Sequence, residues 1–299
     1  MRRLAVNVDI DGLRLYRAIH GLPAWSGDAA DLAWTIGVPR FAALFESFGV
    51  HGTFFVVAAD LEVPAHRAIA ARLVAAGHEL GSHSHTHPYD LTQKPEAVIA
   101  EELRRADAEI AAVRGSPVSG FRAPGYNTSA FIGRELKALG YTYESSRFPC
   151  PPYYAARAGA IAAMRLVGRR SRSIVGSPAH AFGSLEPSRD VNGLVDFPMS
   201  VVPGIRFPLI GTSLSLLGAT ALTALAPVLR AQPFLNLEFH ALDLLDRQDL
   251  VGHDDALVNA QFDLRQPVKA KHAAFAAALR GVVAGAEART LEEHAAGWI

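Results

Sequence analysis

Residues 81–88 read Gly81-Ser82-His83-Ser84-His85-Thr86-His87-Pro88, and three of the eight side chains are imidazoles. A predicted strand over residues 78–82 leads into this stretch, so the histidines follow a strand end. His83 and His87 are four residues apart, a spacing that brings both rings to one face of a helical turn. A catalytic zinc usually takes three protein ligands and a water, and neutral imidazole is a common ligand. The stretch therefore indicates a metal site whose third ligand is a carboxylate from elsewhere in the chain. The alternative is a run of solvent-exposed histidines that bind no metal.

Composition narrows the class of protein. The chain has 299 residues with 29 basic and 29 acidic side chains, and this balance argues against a general nucleic-acid binder. Cys150 is the single cysteine, which excludes an intrachain disulfide and a Cys-rich zinc site. The N-terminal sequence does not resemble a signal peptide. We therefore expect a cytoplasmic enzyme.

Apolar periodicity alternates between strand and helix along the chain. It predicts strands over residues 4–8, 52–57, 78–82 and 234–239, helices over residues 38–48, 64–76, 94–113, 130–139 and 267–284, and a loop over residues 13–35. Such alternation predicts crossover units and a parallel sheet. With no repeat or linker in between, the expectation is a single α/β domain over residues 1–299, with an insertion-like segment at about 147–193.

Two later segments have distinctive compositions. Residues 209–229 carry no charge and are long enough by count to span a bilayer, but Gly211, Gly218 and Pro227 interrupt them, which favours a loop plus a buried helix. The insertion-like segment carries a basic amphipathic run with Arg157, Arg165, Arg169, Arg170 and Arg172. Such a run could meet an anionic membrane surface or a phosphate-bearing ligand, or be a solvated helix face.

Polar side chains mark several predicted strand ends. Asp9 and Asp11 follow the first strand, Arg122 follows another, and His240 ends a late one. In parallel sheets chemistry collects at the carboxyl ends of the strands. We predict that Asp11, together with His83 and His87, holds a divalent metal that polarises a carbonyl and activates water.

The remaining groups suit acid–base roles in the same reaction. Asp9 is predicted to be the general base and Arg122 the cation that keeps it ionised and oriented. His240, when protonated, is predicted to donate to the leaving nitrogen. A backbone N–H near Tyr126 is predicted to help stabilise the oxyanion.

Four stretches together resemble the motifs of the polysaccharide deacetylases, the NodB-homology or carbohydrate esterase family 4 enzymes. They are Asp9-Ile10-Asp11, residues 83–87, residues 122–126 and His240, in the expected order. The resemblance implies a distorted (β/α)7-type barrel, zinc or a similar divalent ion, and removal of an N-acyl group, most simply acetyl, from an amino sugar.

The Asp-x-Asp form is similar to a branch with peptidoglycan deacetylase-like and allantoinase-like members. The same branch holds a deformylase of lipid-linked aminoarabinose, so deformylase or another non-peptide amidase activity is an alternative. The family motif that carries an Asp before a Trp has no clear match in this sequence. We expect Asp243 or Asp196 to tune His240 in its place.

Candidate substrate contacts come from three regions. Pro124 and Tyr126 belong to the arginine motif, Trp25 lies in the loop after the first strand, and Tyr153 begins the insertion-like segment. The basic run and the apolar residues 205–229 motivate a narrower hypothesis. In it the sugar is carried on a lipid through a phosphate and is met at the inner face of the membrane.

Functions of other classes fit parts of the sequence. A haloacid-dehalogenase-type phosphatase would use Asp9 as nucleophile, Asp11 as acid, magnesium, and Asp254 with Asp255 as a later acidic pair, but it leaves the histidines idle. An amidohydrolase places its His-x-His motif at the first strand. A non-catalytic carbohydrate- or glycolipid-binding protein would not need the base and the acid.

Overall fold

The computed structural model describes residues 1–24, 31–166, 168, 170–176, 181–250 and 254–298. Its main sheet contains seven parallel strands in the spatial order β10, β1, β2, β3, β4, β5, β7. β6 extends it antiparallel to β7, β11 pairs with the start of β1, and β8 and β9 form a small separate hairpin. The strands are β1 Arg2–Ile10, β2 Thr53–Val56, β3 Glu79–Ser82, β4 Gly120–Phe121, β5 Tyr143–Glu144, β6 Ser188–Arg189, β7 Val195–Asp196, β8 Val201–Val202, β9 Phe207–Pro208, β10 Phe234–His240 and β11 Ala286–Ala288.

Helices connect the strands and cover the outside of the sheet. They are α1 Leu13–Ile19, α2 Val38–Glu46, α3 Pro64–Ala75, α4 Glu96–Arg114, α5 Ala130–Ala138, α6 Pro151–Leu166, α7 Gly211–Arg230, α8 Arg247–Leu250, α9 Asp255–Ala260, α10 Val268–Val283 and α11 Leu291–Ala296. Short helical turns add Ala33–Gly37, Ala58–Glu62, Leu91–Gln93, Pro124–Tyr126, Ala241–Leu244 and Phe262–Arg265. The predicted helices and the parallel sheet are therefore confirmed, with boundaries shifted by a few residues.

The two faces of β1 explain how the sheet curls around a polar interior. Val6, Val8 and Ile10 pack into the outer hydrophobic core, whereas Asn7 and Asp9 alternate with them and face the other side. The same alternation in β10 brings Asn236 and Glu238 opposite β1, and Asn7 donates to Asn236 at 2.5 Å. Apolar residues toward the helices and polar residues toward the inside are the pattern of a barrel-like sheet.

A non-strand segment bridges the gap between the two ends of the curled sheet. Beyond β7, the carbonyls of Phe197 and Pro198 accept hydrogen bonds from Asn236 of β10 at 3.3 and 3.2 Å. The Ser200 N–H donates to the Asn236 carbonyl at 3.0 Å. The sheet is thus a half-barrel closed by polar contacts, which fits the predicted distorted barrel.

Two segments differ from the sequence prediction. Residues 13–35 were expected to be a loop, but α1 and the turn Ala33–Gly37 form there, with Leu15, Tyr16 and Trp34 buried. The uncharged segment forms α7, which is long and apolar enough to cross a membrane by composition. It bends at Gly218 and buries Leu214, Leu222 and Leu229 in the core, whereas Leu216 and Val228 are exposed. The expected loop plus buried helix is therefore a single bent helix that is only partly buried.

Gly37 provides a test of how tightly helix α2 is fitted behind the late strand. A Cβ at Gly37 would lie 2.2 Å from the carbonyl oxygen of Ala241, in the turn that follows β10. The backbone at Ala241 cannot move away without disturbing the turn, so Gly37→Ala should lower the free energy of unfolding by about 1–3 kcal/mol. Urea denaturation measures it. Gly159→Ala, in α6 with open space around its Cβ, is the matched control and should not destabilise the protein.

Candidate metal-dependent active site

The histidine stretch forms a tight loop after β3, and its backbone is fixed on several sides. The backbone N–H of His83 donates to the Val56 carbonyl, and those of Ala58 and Ala59 donate to the carbonyls of Ser84 and His85. The expected helical turn is wrong: Ser84 and His87 have φ values of 64° and 60°, in the left-handed region. The rings of His83 and His87 still contact each other, with centroids 4.7 Å apart. The left-handed conformations of Ser84 and His87, and not a helical turn, bring them together.

Asp11 and the two imidazoles converge on one point. The Nε2 atoms of His83 and His87 each lie 3.4 Å from Asp11 Oδ1. All three side chains are buried, and among the described residues neither Asp11 Oδ1 nor His87 Nε2 has a hydrogen-bond partner. Buried polar atoms without partners are costly, and a shared cation would satisfy them. The three residues therefore fit the metal site predicted from the sequence.

The protonation of the site also suits metal binding. Burial lowers the pKa of His87 to about 4, so this ring is neutral at physiological pH. Burial alone would raise the pKa of Asp11, but the neighbouring His87 and His83 lower it well below its usual range. His83 Nδ1 lies 2.7 Å from the Arg122 carbonyl, which can only accept, so Nδ1 carries the proton. In the neutral ring Nε2 then has the lone pair that a ligand requires. Burial opposes the charged ring, but Asp9 and Asp11 raise the pKa of His83, so a metal bound there would displace a proton.

Asp9 and Arg122 form a buried ion pair beside the three candidate ligands. Arg122 Nη1 donates to Asp9 Oδ1 at 2.6 Å, and its remaining groups donate to the Ser145 carbonyl and hydroxyl at 2.7 and 2.9 Å. The other oxygen, Asp9 Oδ2, has no hydrogen-bond partner and lies 3.8 Å from His83 Nε2. The arginine thus orients the carboxylate and leaves one oxygen open toward the site.

His240 lies across the site from the loop, and its partner was missed in the sequence. Glu238 Oε1 is 3.0 Å from His240 Nδ1, and His240 Nε2 is 3.9 Å from Asp11 Oδ2. Burial opposes the charged ring, but the surrounding carboxylates, Glu238 foremost, raise the pKa of His240 to about 9. The spacing of two within a strand was the available signal, because residues i and i+2 share a face.

Neither acid expected to tune His240 contacts its ring in this way. Asp243 Oδ2 accepts from the His240 backbone N–H at 2.7 Å and so fixes the turn after β10. Asp196 instead forms an ion pair with Arg147. Glu238 therefore takes the position for which Asp243 and Asp196 were proposed.

The candidate catalytic groups line one end of a cavity of about 340 Å³. Its wall includes Asp9, Asp11, His83, His240, Tyr16, Tyr89, Tyr126, Tyr153 and Arg157. Tyr126 and Tyr153, both predicted to contact the substrate, thus line the same cavity as the candidate catalytic groups. Pro124 is buried in the turn beneath Tyr126, and Trp25 lies outside the described residues.

The backbone N–H near Tyr126, which was predicted to stabilise the oxyanion, already donates a hydrogen bond within the protein. The Tyr126 backbone N–H donates to the Ala123 carbonyl at 2.9 Å, and that of Asn127 donates to Pro124 at 3.4 Å. Both groups are therefore engaged within their own turn. The Tyr126 hydroxyl instead lies 3.3 Å from Glu238 Oε1, which connects it to the His240 pair.

Comparison with known proteins agrees with this site. Residues 30–144 match the family model of the polysaccharide deacetylases, a range that includes His83, His87 and Arg122. The peptidoglycan deacetylase of Helicobacter pylori is 27% identical over 157 residues, which are 50% of this chain and 52% of that protein. The chain thus spans about half the length of this curated relative. Asp9, Asp11 and His240 lie outside the matched family range.

Two solved structures have the same fold. A Mycobacterium smegmatis protein assigned to the polysaccharide deacetylases has a TM-score of 0.58 and 17% identity, covering 99% of this chain and 90% of its own. PuuE allantoinase also gives a TM-score of 0.58 and 17% identity, with 99% and 89% covered. At this identity the likeness concerns the fold.

The Glu238–His240 pair leads to a titration test. Glu238→Gln keeps an acceptor for the ring but removes the charge, so the pKa of His240 should fall from about 9 by about 1–3 pH units. NMR titration of the imidazole in chelator-treated protein measures it. Asp196→Asn is the control and should leave the value unchanged; the reverse result would restore Asp196 as the tuning acid.

Proposed function

Because residues 30–144 match the polysaccharide deacetylase family, we propose that the protein is a divalent-metal-dependent hydrolase that removes an N-acetyl group from an amino sugar. The observation that carries the proposal is the convergence of Asp11, His83 and His87 between two buried charge pairs. One pair, Asp9 with Arg122, presents a free carboxylate oxygen, and the other, Glu238 with His240, presents a charged imidazole. A base and an acid on two sides of a cation site are what amide hydrolysis requires.

Asp11, His83 and His87 would hold the metal, with zinc favoured by their nitrogen and oxygen donors. When bound, the ion would polarise the acyl carbonyl and lower the pKa of the attacking water. Asp9 Oδ2 accepts the proton of that water, since Oδ1 is held by Arg122. The fixed guanidinium keeps the carboxylate oriented throughout, so little reorganisation is needed during the reaction.

His240 completes the reaction as the acid. Glu238 holds Nδ1, so the proton on Nε2 is directed toward the cavity beside Asp11. Amide cleavage expels a poor leaving group unless the nitrogen is protonated, and His240 supplies that proton. The raised pKa of His240, about 9, keeps the ring charged at neutral pH before the substrate arrives.

A narrower proposal concerns the substrate, a sugar linked to a lipid through a phosphate. A second cavity of about 1280 Å³ adjoins the site at His87 and Tyr89, and its lining includes Arg165, Arg170 and Arg172. These guanidinium groups suit a phosphate. α7 leaves apolar side chains exposed, with Leu216 58% accessible, which suits contact with a lipid surface at the inner face of the membrane.

The rival phosphatase function gains no support from the site. His83 and His87 converge on Asp11, an arrangement that has no role in the phosphatase chemistry. Asp254, its candidate later acid, caps α9 through the Leu257 N–H and pairs with Arg17. Deformylase and allantoinase activity remain within the same chemistry and belong in the substrate panel.

Two substitutions separate metal binding from proton transfer. Asp11→Asn should reduce bound metal, whereas Asp9→Asn should keep the metal and lower the rate by about 10²–10⁴-fold, because it removes the base. Metal analysis, with acetate and formate release from N-acylated amino sugars, measures both. Retention of most activity in Asp9→Asn would show that the base is assigned wrongly. Phosphoester hydrolysis without amide hydrolysis would favour the phosphatase, and metal without hydrolysis the binding protein.

The lipid-phosphate proposal has its own test. Arg170→Ala combined with Arg172→Ala should reduce turnover of a lipid-phosphate-linked amino sugar by at least about tenfold, if each guanidinium contributes about 1 kcal/mol or more. Turnover of soluble chito-oligomers should stay unchanged. Arg104→Ala, which loses only an exposed pair with Glu101, is the control. Equal losses on both substrates would refute the phosphate contact while leaving the hydrolase itself intact.

A further inference from the structure

His85, the middle histidine of the loop, takes no part in the candidate active site. Its ring is directed toward α4, where Nδ1 lies 3.6 Å from Glu109 Oε2. Glu62, at the end of the turn Ala58–Glu62, completes a group whose potential ligand atoms all lie within 4.8 Å of one another. We call Glu62, His85 and Glu109 the outer cluster.

Two buried atoms of the outer cluster have no hydrogen-bond partner in the part of the chain that the structure describes. The His85 side chain is 4% exposed, and its Nδ1 has no hydrogen-bond partner. Glu109 Oε2, which faces it, is also buried without one. An imidazole and a carboxylate left unsatisfied beside each other lose hydration without gaining a bond. A cation between them would satisfy both.

The neighbouring charged side chains Arg105 and Glu102 do not bind His85 Nδ1 or Glu109 Oε2 among the described contacts. Arg105 approaches the other oxygen of Glu109, Oε1, at 3.7 Å, beyond hydrogen-bond distance. Glu102, two turns before Glu109 on α4, already binds the loop backbone: it accepts from the N–H groups of His85 and Thr86 at 3.2 and 2.9 Å. Oε2 of Glu109 and Nδ1 of His85 therefore stay available to a ligand.

We propose that the outer cluster is a second divalent-cation site, with zinc the ion that best suits its donors. Zinc binds imidazole nitrogen and carboxylate oxygen at about 2.0–2.2 Å, which brings neighbouring ligand atoms roughly 3–4 Å apart. The 3.6 Å between His85 Nδ1 and Glu109 Oε2 fits this spacing. Glu62, which is exposed, supplies the third ligand and leaves the fourth position to water.

An ion here would act on the loop rather than on the substrate. It would join the turn Ala58–Glu62, the histidine loop and α4, three elements already in contact. The loop holds Ser84 and His87 in the left-handed region, which costs free energy for residues other than glycine. Cross-linking at His85 would therefore stabilise the conformation in which His83 and His87 face Asp11.

Zinc titration by calorimetry tests the proposal in the full chain after chelation. The wild type should bind two equivalents. In a background with Asp11→Asn and His87→Asn, which disables the first site while asparagine tolerates the left-handed backbone, one equivalent should remain. Adding Glu109→Gln to this background should weaken that binding by at least about tenfold, the loss that even an outer-sphere substitution can bring.

Glu101→Gln in the same background is the matched control, since Glu101 is on the same helix and pairs only with the exposed Arg104 among the described residues. It should bind like the background. Melting temperature without zinc checks that all variants fold, and the same zinc concentration should raise it less in Glu109→Gln than in the background or in Glu101→Gln. A background that binds no zinc, or Glu109→Gln that binds as tightly as Glu101→Gln, overturns the second site. Deacetylase activity does not enter this test, so the proposal fails or stands apart from the proposed function.

Discussion

Arg122 is fully buried, and its contacts join four strands of the sheet at the active site. The guanidinium binds Asp9 of β1, the Ser145 carbonyl and hydroxyl after β5, and lies 4.3 Å over the Phe55 ring of β2. Its own carbonyl sets the tautomer of His83 after β3. Removing one partner from a buried ion pair leaves an uncompensated charge, at a cost of about 3–5 kcal/mol. The relative positions of the candidate base Asp9, the histidine loop and the half-barrel therefore depend on this one side chain.

Much of the site was accessible from the sequence because strand ends concentrate polar groups. The sequence predicts Asp9, Asp11, His83, His87, Arg122 and His240, and the structure brings them together at one site. Four of them, Asp9, Asp11, His83 and His240, line the same cavity. The reason given for the histidine pair was wrong, since left-handed residues rather than helical spacing bring the rings together. Backbone conformations of this kind depend on tertiary hydrogen bonds, here from Ala58 and Ala59, which no local pattern records.

Glu238 illustrates the other limit of sequence reasoning. It reads as one polar residue in an apolar strand, and only the register of β10 with β1 shows that it faces the interior beside His240. α1 was missed for a similar reason: its short amphipathic pattern is stabilised by packing of Leu13 and Tyr16 against late residues such as Leu242 and Leu245. Contacts between distant parts of the chain decided both cases.

The position of β1 in the sheet has a consequence for synthesis. Asp9 is translated well over two hundred residues before His240, yet the strand that aligns the two spans Phe234–His240. Until that strand has been made, β1 has β2 on one side and an unpaired edge on the other, which is open to wrong partners. The nascent chain thus acquires the candidate acid long after the candidate base, and the site is complete only when the half-barrel has received β10.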